Sequence, residues 1–206
     1  DKAATAALRM LGATDGKTSE VPAVLPPETG YSFLELIASM VSADLVQKNK
    51  SLFTGKLKEP VASELVTIID DGRLKGGLAS AAVDAEGVPT TTREIVSNGI
   101  LNDLLYDSYS AHRGNTNPTG NTQRASYSTR PMIAPNNFYM KPGQLSCDQI
   151  MARIDHGIFV TEVSGLHASV DPVTGHFSIP SKGIMIEHGE LTTPVSNITM
   201  SGNIFD

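Results

Sequence analysis

The sequence predicts an α+β fold, with helices and a mixed or antiparallel sheet followed by a C-terminal antiparallel β-meander. Two observations carry that expectation. The strongest helical periodicity sits in the first quarter of the chain. The last quarter is a series of short apolar runs separated by turn residues. No repeat of fixed period argues for a solenoid or propeller. At 206 residues, with 40% hydrophobic and 18% charged residues, the chain has an ordinary globular composition and length enough for one good core or two small ones. A single domain over residues 1–206 is the expectation.

The elements follow in order. Ala3 to Leu11 is rich in alanine and leucine and stops at Gly12, which predicts a short helix with a glycine C-cap. Val21 to Leu25 reads as a strand ended by Pro26-Pro27. Glu28 to Val46 is the best helix, since Phe33, Leu34, Ile37, Met40, Val41 and Leu45 share one face. Glu64 to Ile69 reads as a strand. Glu94 to Leu105 reads as a hairpin about Asn98-Gly99, because both turn residues tolerate positive φ. Tyr109 to Arg113 predicts a helical turn, and Gly114 to Asn137 a long polar loop of the kind that binds something or moves. Asn137 to Met140 should be a strand. Ser146-Cys-Asp-Gln149 has capping-box spacing and should open a helix running to Gly157. The meander then comprises Ile158–Val163, Ala168–Val170, His176–Ile179, Ile184–Glu187 and Leu191–Val195, with turns at 171–175, 181–183 and 188–189.

Composition excludes several classes. The net charge is −6 and the 16 basic residues are scattered, so an extended nucleic-acid surface is not expected. The single cysteine, Cys147, forbids a disulfide within the chain and suits a reducing compartment such as the cytoplasm. No apolar run approaches the roughly 20 residues that span a bilayer. The sequence lacks an initiator Met and ends at Asn203-Ile-Phe-Asp206, as a piece of a longer protein would. No GxxxxGK[ST], GxGxxG or GxSxG motif is present, which disfavours nucleotide loops and a nucleophile elbow.

Three groups of residues could carry chemistry. Asp70, Asp71, Asp84 and Glu86 put four carboxylates at two turn positions. Carboxylates suit Mg²⁺ or Ca²⁺, yet the spacing is not that of an EF-hand loop, and Asp before Gly is also routine turn chemistry. The loop with Asn121, Arg124 and Arg130 offers amides and guanidinium groups for a peptide backbone or a carboxylate. Cys147 opens a predicted helix, where a thiol pKa falls, but it lies in a capping segment with no nucleophile motif. The histidines at 112, 156, 167, 176 and 188 lack the spacing of a zinc helix, although His167, His176 and His188 could converge across the meander.

The order of ten short segments resembles the TldD/PmbA family, also called modulators of DNA gyrase. They are Ser51-Leu-Phe-Thr-Gly-Lys-Leu57, Val66-Thr-Ile-Ile-Asp-Asp-Gly72, Asp84-Ala-Glu-Gly-Val-Pro89, Asn98-Gly-Ile-Leu101, Pro118-Thr-Gly-Asn-Thr-Gln-Arg124, Asn137-Phe-Tyr-Met-Lys-Pro-Gly143, Gly157-Ile-Phe-Val160, Thr174-Gly-His-Phe-Ser178, Ile186-Glu-His-Gly-Glu190 and Ile198-Thr-Met-Ser-Gly-Asn203. The resemblance covers about Val21 to Asn203. It implies most of the C-terminal half of a subunit about twice this length, with an N-terminal domain and a last segment outside the sequence. It also implies dimers enclosing a proteolytic chamber, in which TldD-type subunits carry zinc on an HExxxH helix with a cysteine near the chain end. Metal-activated water would attack a peptide carbonyl, with Glu as base.

This chain departs from that motif. The aligned stretch is Leu34-Glu-Leu-Ile-Ala-Ser39, with Leu34 and Ser39 at the histidine positions and only the glutamate kept, as Glu35. The resemblance therefore implies a PmbA/TldE-type subunit with no catalytic residue and no metal of its own. Zinc is expected only in a partner, and the chain would form a homodimer or a heterodimer with a zinc-bearing TldD-type subunit. Asp70, Asp71, Asp84 and Glu86 are then expected to cap turns and anchor loops, and Asn121, Arg124 and Arg130 to meet the substrate peptide. Two other functions stay open: a gyrase or toxin–antitoxin modulator without peptidase role, and a Mg²⁺-dependent hydrolase using the four acids.

Overall fold

A computed structural model describes residues 2–205, including all their side chains except those of Lys2, Ala3 and His167. The chain order begins α1 (Lys2–Arg9), β1 (Thr14–Asp15), β2 (Ala23–Val24), α2 (Pro27–Met40), α3 (Ala43–Gln47), β3 (Ile68–Asp71), β4 (Thr92–Ser97) and β5 (Ile100–Leu101). It continues with α4 (Ser108–Arg113), β6 (Thr122–Gln123), β7 (Met132–Ile133), β8 (Phe138–Met140), α5 (Cys147–Met151), β9 (His156–Val163), β10 (His176–Glu187) and β11 (Glu190–Asn203). The class is α+β. The backbone divides into two compact units.

The first unit comprises residues 1–33, 144–170 and 176–204. Its five-stranded sheet has the order β1-β11-β10-β9-β2. The three long strands are antiparallel, while the short β1 and β2 join the two edges in parallel, so the sheet is mixed. Ile179, Ile184 and Ile186 of β10, Val160 of β9 and Val195 of β11 are buried. Phe33 packs edge-on to Phe177, with ring centroids 5.6 Å apart.

The meander departs from expectation at two places. The turn expected at Ser181–Gly183 is a bulge inside one continuous strand. β10 is paired on both sides, which holds it extended, and Gly183 is needed for close approach: a Cβ there would lie 2.7 Å from the Phe159 carbonyl oxygen. The strand expected at Ala168–Val170 is a 3₁₀ turn over Leu166–Ala168 followed by a single bridge from Val170 to Phe177. Helix α5 has its capping box, but it ends by Ala152 rather than at Gly157, because Gly157 already pairs with Ile186 in the sheet.

The second unit comprises residues 34–143, 171–175 and 205–206. A four-stranded sheet of order β5-β4-β3-β8 and the small β6-β7 hairpin form its framework. Met40, Val41, Phe53, Ile95, Val96, Leu101 and Leu105 supply its core. The expected single helix over 28–46 is interrupted. Ser42 takes an extended conformation, with φ −65° and ψ 122°, and forms a parallel bridge with Leu105. The backbone N–H of Ala43 donates to Leu105 and that of Leu105 to Val41. The Ser51 hydroxyl donates to the Met40 carbonyl at 2.6 Å, satisfying one carbonyl of the severed helix end.

Strand β3 also starts later than the apolar run suggests. Ser63 folds Glu64 to Val66 into a turn by accepting from the Leu65 N–H, and Leu65 is left exposed. Pairing with β8 begins at Ile68, so Asp70 and Asp71 lie in the strand itself rather than in the turn beyond it. The Asn98-Gly99 turn forms as expected, with φ of 48° and 79°.

Candidate functional site

Asp70 is fully buried on β3, between β4 and β8. One carboxylate oxygen accepts from the Asn136 N–H at 2.7 Å. The other accepts from Asn121 Nδ2 at 2.6 Å and from Asn136 Nδ2 at 3.2 Å. Asn121 is in turn held by the Thr119 hydroxyl, which donates to its Oδ1 at 2.6 Å and accepts from the Tyr106 N–H. All the donors to Asp70 are neutral. Burial pushes its carboxyl above the ordinary carboxylate range, the bonds from Asn121 and Asn136 pull it partly back, and the Asp71 charge adds to the rise.

The other three acids face local backbone and hydroxyl groups. Asp71 accepts from the Arg73 N–H at 2.9 Å and the Thr92 hydroxyl at 2.7 Å. Asp84 accepts from the N–H groups of Glu86 and Val88 with one oxygen and from that of Thr122 with the other. Glu86 Oε2 accepts from the Ser108 N–H at the start of α4, from the Ser108 hydroxyl and from the Thr122 hydroxyl. Asp70 and Asp84 thus both hold the segment that enters the β6-β7 hairpin, Asp70 through Asn121 and Asp84 through Thr122.

The hairpin itself pairs Thr122 with Ile133 and Gln123 with Met132. Asn121, placed in the sequence reading at a peptide-binding wall, has 1% exposure and its amide is spent on Asp70 and the Ala134 carbonyl. Arg124 and Arg130 are exposed near the tip. Arg124 Nη1 donates to the Thr129 carbonyl at 3.1 Å. Sequence reading singled out the acids but missed Asn136 and Thr92 as their partners and Thr119 as the support of Asn121. The one available signal was the amide-rich composition at both ends of the long loop.

The helix that the resemblance implies would carry the motif is α2. Leu34 is half-buried and offers no donor atom, Glu35 is exposed, and the Ser39 hydroxyl donates to the Leu36 carbonyl at 2.7 Å. A zinc site needs at least three converging nitrogen, sulfur or oxygen ligands. No group of three or more His, Cys, Asp or Glu positioned to hold a metal ion occurs among the described residues. These residues do not fit the zinc that the resemblance implies for TldD-type subunits. Cys147 is exposed at the start of the five-residue α5. His188 contacts Asp155 at 2.5 Å in the turn between β10 and β11, and the His167 side chain lies outside the described residues. No helix among the described residues is long and apolar enough to cross a membrane.

Comparison with known proteins gives a consistent result. The PmbA/TldA metallopeptidase C-terminal domain family matches residues 18–206. A metalloprotease TldD homologue of Buchnera aphidicola (Schizaphis graminum) is 34% identical over 199 residues, covering 96% of this chain and 41% of that protein. Two solved structures superpose with a TM-score of 0.88. One is a candidate modulator of a DNA gyrase from Thermotoga maritima, 34% identical, covering 97% of this chain and 45% of that one. The other is TldE from Thermococcus kodakarensis, 27% identical, covering 99% and 46%. The chain spans about two-fifths of the length of the curated relatives it matches. With the family pattern running from Thr18 to the last residue, and the same fold in both solved relatives, the chain belongs to the PmbA/TldD metallopeptidase C-terminal domain family.

Proposed function

We propose that this chain is the C-terminal domain of a non-zinc subunit of a TldD/PmbA-type peptidase, one that shapes the substrate chamber of a dimer and leaves peptide cleavage to a zinc-bearing partner. One observation carries the proposal: the motif positions on α2 hold Leu34, Glu35 and Ser39. A leucine and an internally bonded serine supply no metal ligand in place of two histidines, and a glutamate without metal-bound water has no activated nucleophile to deprotonate. Overall identity does not decide the subunit type, since relatives named TldD and TldE both match. The residues at the motif positions support the non-zinc assignment. In this reading Asp70, Asp71, Asp84 and Glu86 are structural anchors, Arg124 and Arg130 face the peptide, and Asn121 supports them from below. The reducing habitat suggested by a lone cysteine fits a cytoplasmic location.

Metal analysis of the full-length protein tests the assignment. The expected result is zinc well below one atom per subunit, with peptide hydrolysis appearing only when a zinc-bearing relative is added and disappearing on chelation. Stoichiometric zinc with chelator-sensitive hydrolysis by this protein alone would sink it. The likeness to a candidate gyrase modulator favours a second reading, a regulatory binding protein. Co-purification separates the two: a zinc-bearing homologue as the stable partner supports the first, and a topoisomerase or toxin–antitoxin protein alone supports the second.

A further inference from the structure

The β6-β7 hairpin has the physical character of a recognition finger. Its base is fixed twice. The Asp70 carboxylate bonds Asn121 on the entering limb and Asn136 on the leaving limb. Gln123 Nε2 donates to the Pro135 carbonyl at 2.7 Å, tying the limbs again. Its tip is organised as well. The Ser126 N–H donates to the Thr129 hydroxyl, the Thr129 N–H returns to the Ser126 carbonyl, and Arg124 closes over the Thr129 carbonyl. This ordered turn displays Tyr127 at 98% exposure, with Met132 at 61% on the returning strand. Tyrosine, arginine and methionine are the residue types enriched where proteins meet partners, and a preordered loop loses little entropy on binding.

Charge says what the finger fits. From Ser108 to Cys147 the sequence contains no aspartate or glutamate but holds Arg113, Arg124, Arg130 and Lys141. Subtracting that +4 from the chain's −6 leaves −10 on the remaining residues. Among the described residues neither Arg124 nor Arg130 has a carboxylate partner, although other basic groups such as Lys48, Arg93 and Lys182 do. Arg124 uses one N–H on Thr129, and a guanidinium carries five. Two exposed arginines flank an exposed tyrosine in a sequence stretch without acids, and the acids bound at the finger's base, Asp70, Asp84 and Glu86, contact Asn121 and Thr122 rather than these arginines; such charges suit carboxylates on an extended chain.

We infer that the β6-β7 finger selects acidic peptides: Arg124 and Arg130 bind Glu or Asp side chains and Tyr127 packs on the intervening backbone. This names the substrate class for the peptide-holding role proposed above and rests on that reading. The test uses the full-length subunit without its partner. Fluorescence anisotropy compares a fluorescein-labelled peptide of alternating Glu and Ala with its Gln-for-Glu counterpart. The acidic peptide should bind at least about tenfold tighter at low salt, a difference near 1.4 kcal/mol. Arg124→Gln with Arg130→Gln should abolish that preference, and Tyr127→Ala should weaken both peptides several-fold. Equal binding of the Glu and Gln peptides, or an unchanged preference in the double variant, overturns the inference. All three positions are exposed, and circular dichroism with thermal melts checks that the variants fold. Zinc content is measured on the same sample. Stoichiometric zinc would overturn the non-zinc assignment whatever the finger binds. Absence of acidic preference in a zinc-free, partner-dependent subunit would remove the finger alone.

Discussion

Asp70 is the residue on which the site's architecture most depends. A buried carboxylate surrounded only by neutral donors is costly to ionise, yet removing it strands three donor bonds at once. Asp70→Ala should therefore lower unfolding free energy by about 3 kcal/mol, read from chemical denaturation. Its pH dependence has a defined sign. The folded carboxyl is raised above the unfolded value, so the associated stability is fully present below about pH 3.8 and is lost as pH rises through the folded pKa. Relative to Asp70→Asn, which does not titrate, the wild type should gain stability as pH falls from 7 toward 4. A wild-type protein that loses ground to the Asn variant over that interval would contradict the account. The sequence made the four acids conspicuous, because charge and Gly-terminated turns are visible in one dimension. It hid their partners, which lie 51 and 66 positions away from Asp70. Asn121 shows the same limit: an amide in a polar loop reads as surface until the fold shows what it lies against, here the Asp70 carboxylate.

Among the elements, the Asn98-Gly99 hairpin was the most legible, since its turn type is dictated locally by two residues that accept positive φ. It also fills space. A Cβ on Gly99 would sit 2.4 Å from the Ala62 carbonyl oxygen and 2.8 Å from that of Ser63. Gly99→Ala should thus cost about 2–4 kcal/mol, through left-handed strain and collision with backbone that cannot rotate away, while Asn98→Gly should cost under about 1 kcal/mol. Denaturant midpoints of the two variants distinguish them, and equal midpoints would refute the steric part. The long helix was half legible. Its apolar periodicity continues through Val41 and Leu45, but the bridge from Ser42 to Leu105 cuts it, and nothing local announces a partner 63 residues distant. The same applies to β10, where a Ser-Lys-Gly sequence that suits a turn is held straight by strands on both sides.

For the molecule as a whole, the α+β class was readable from the order of periodicities, and the family from motifs whose order no single element conveys. The split into two units was not readable, because the first unit draws on both ends of the chain. Charge distribution sets the behaviour expected at this scale. With −10 outside the acid-free stretch and +4 within it, attraction of acidic peptides to the finger should be screened by salt. The Debye length falls from about 10 Å at 0.1 M toward 3 Å at 1 M. Moving from about 50 to 300 mM salt should weaken the acidic peptide several-fold and leave the Gln peptide nearly unchanged, as read by the same anisotropy titration.

The Asp70 network also has a bearing on how the chain reaches this state. Its bonds join β3 to residues 51 and 66 positions later, so they close only after long stretches of chain have been brought back together. We expect these contacts to close on the late side of the folding barrier. Asp70→Asn should accordingly leave the refolding limb of the chevron almost unmoved and accelerate unfolding, with a φ-value near zero. The finger would then be the last part of its unit to lock and the first to open, and the lifetime of the binding-competent form would be set by the unfolding rate.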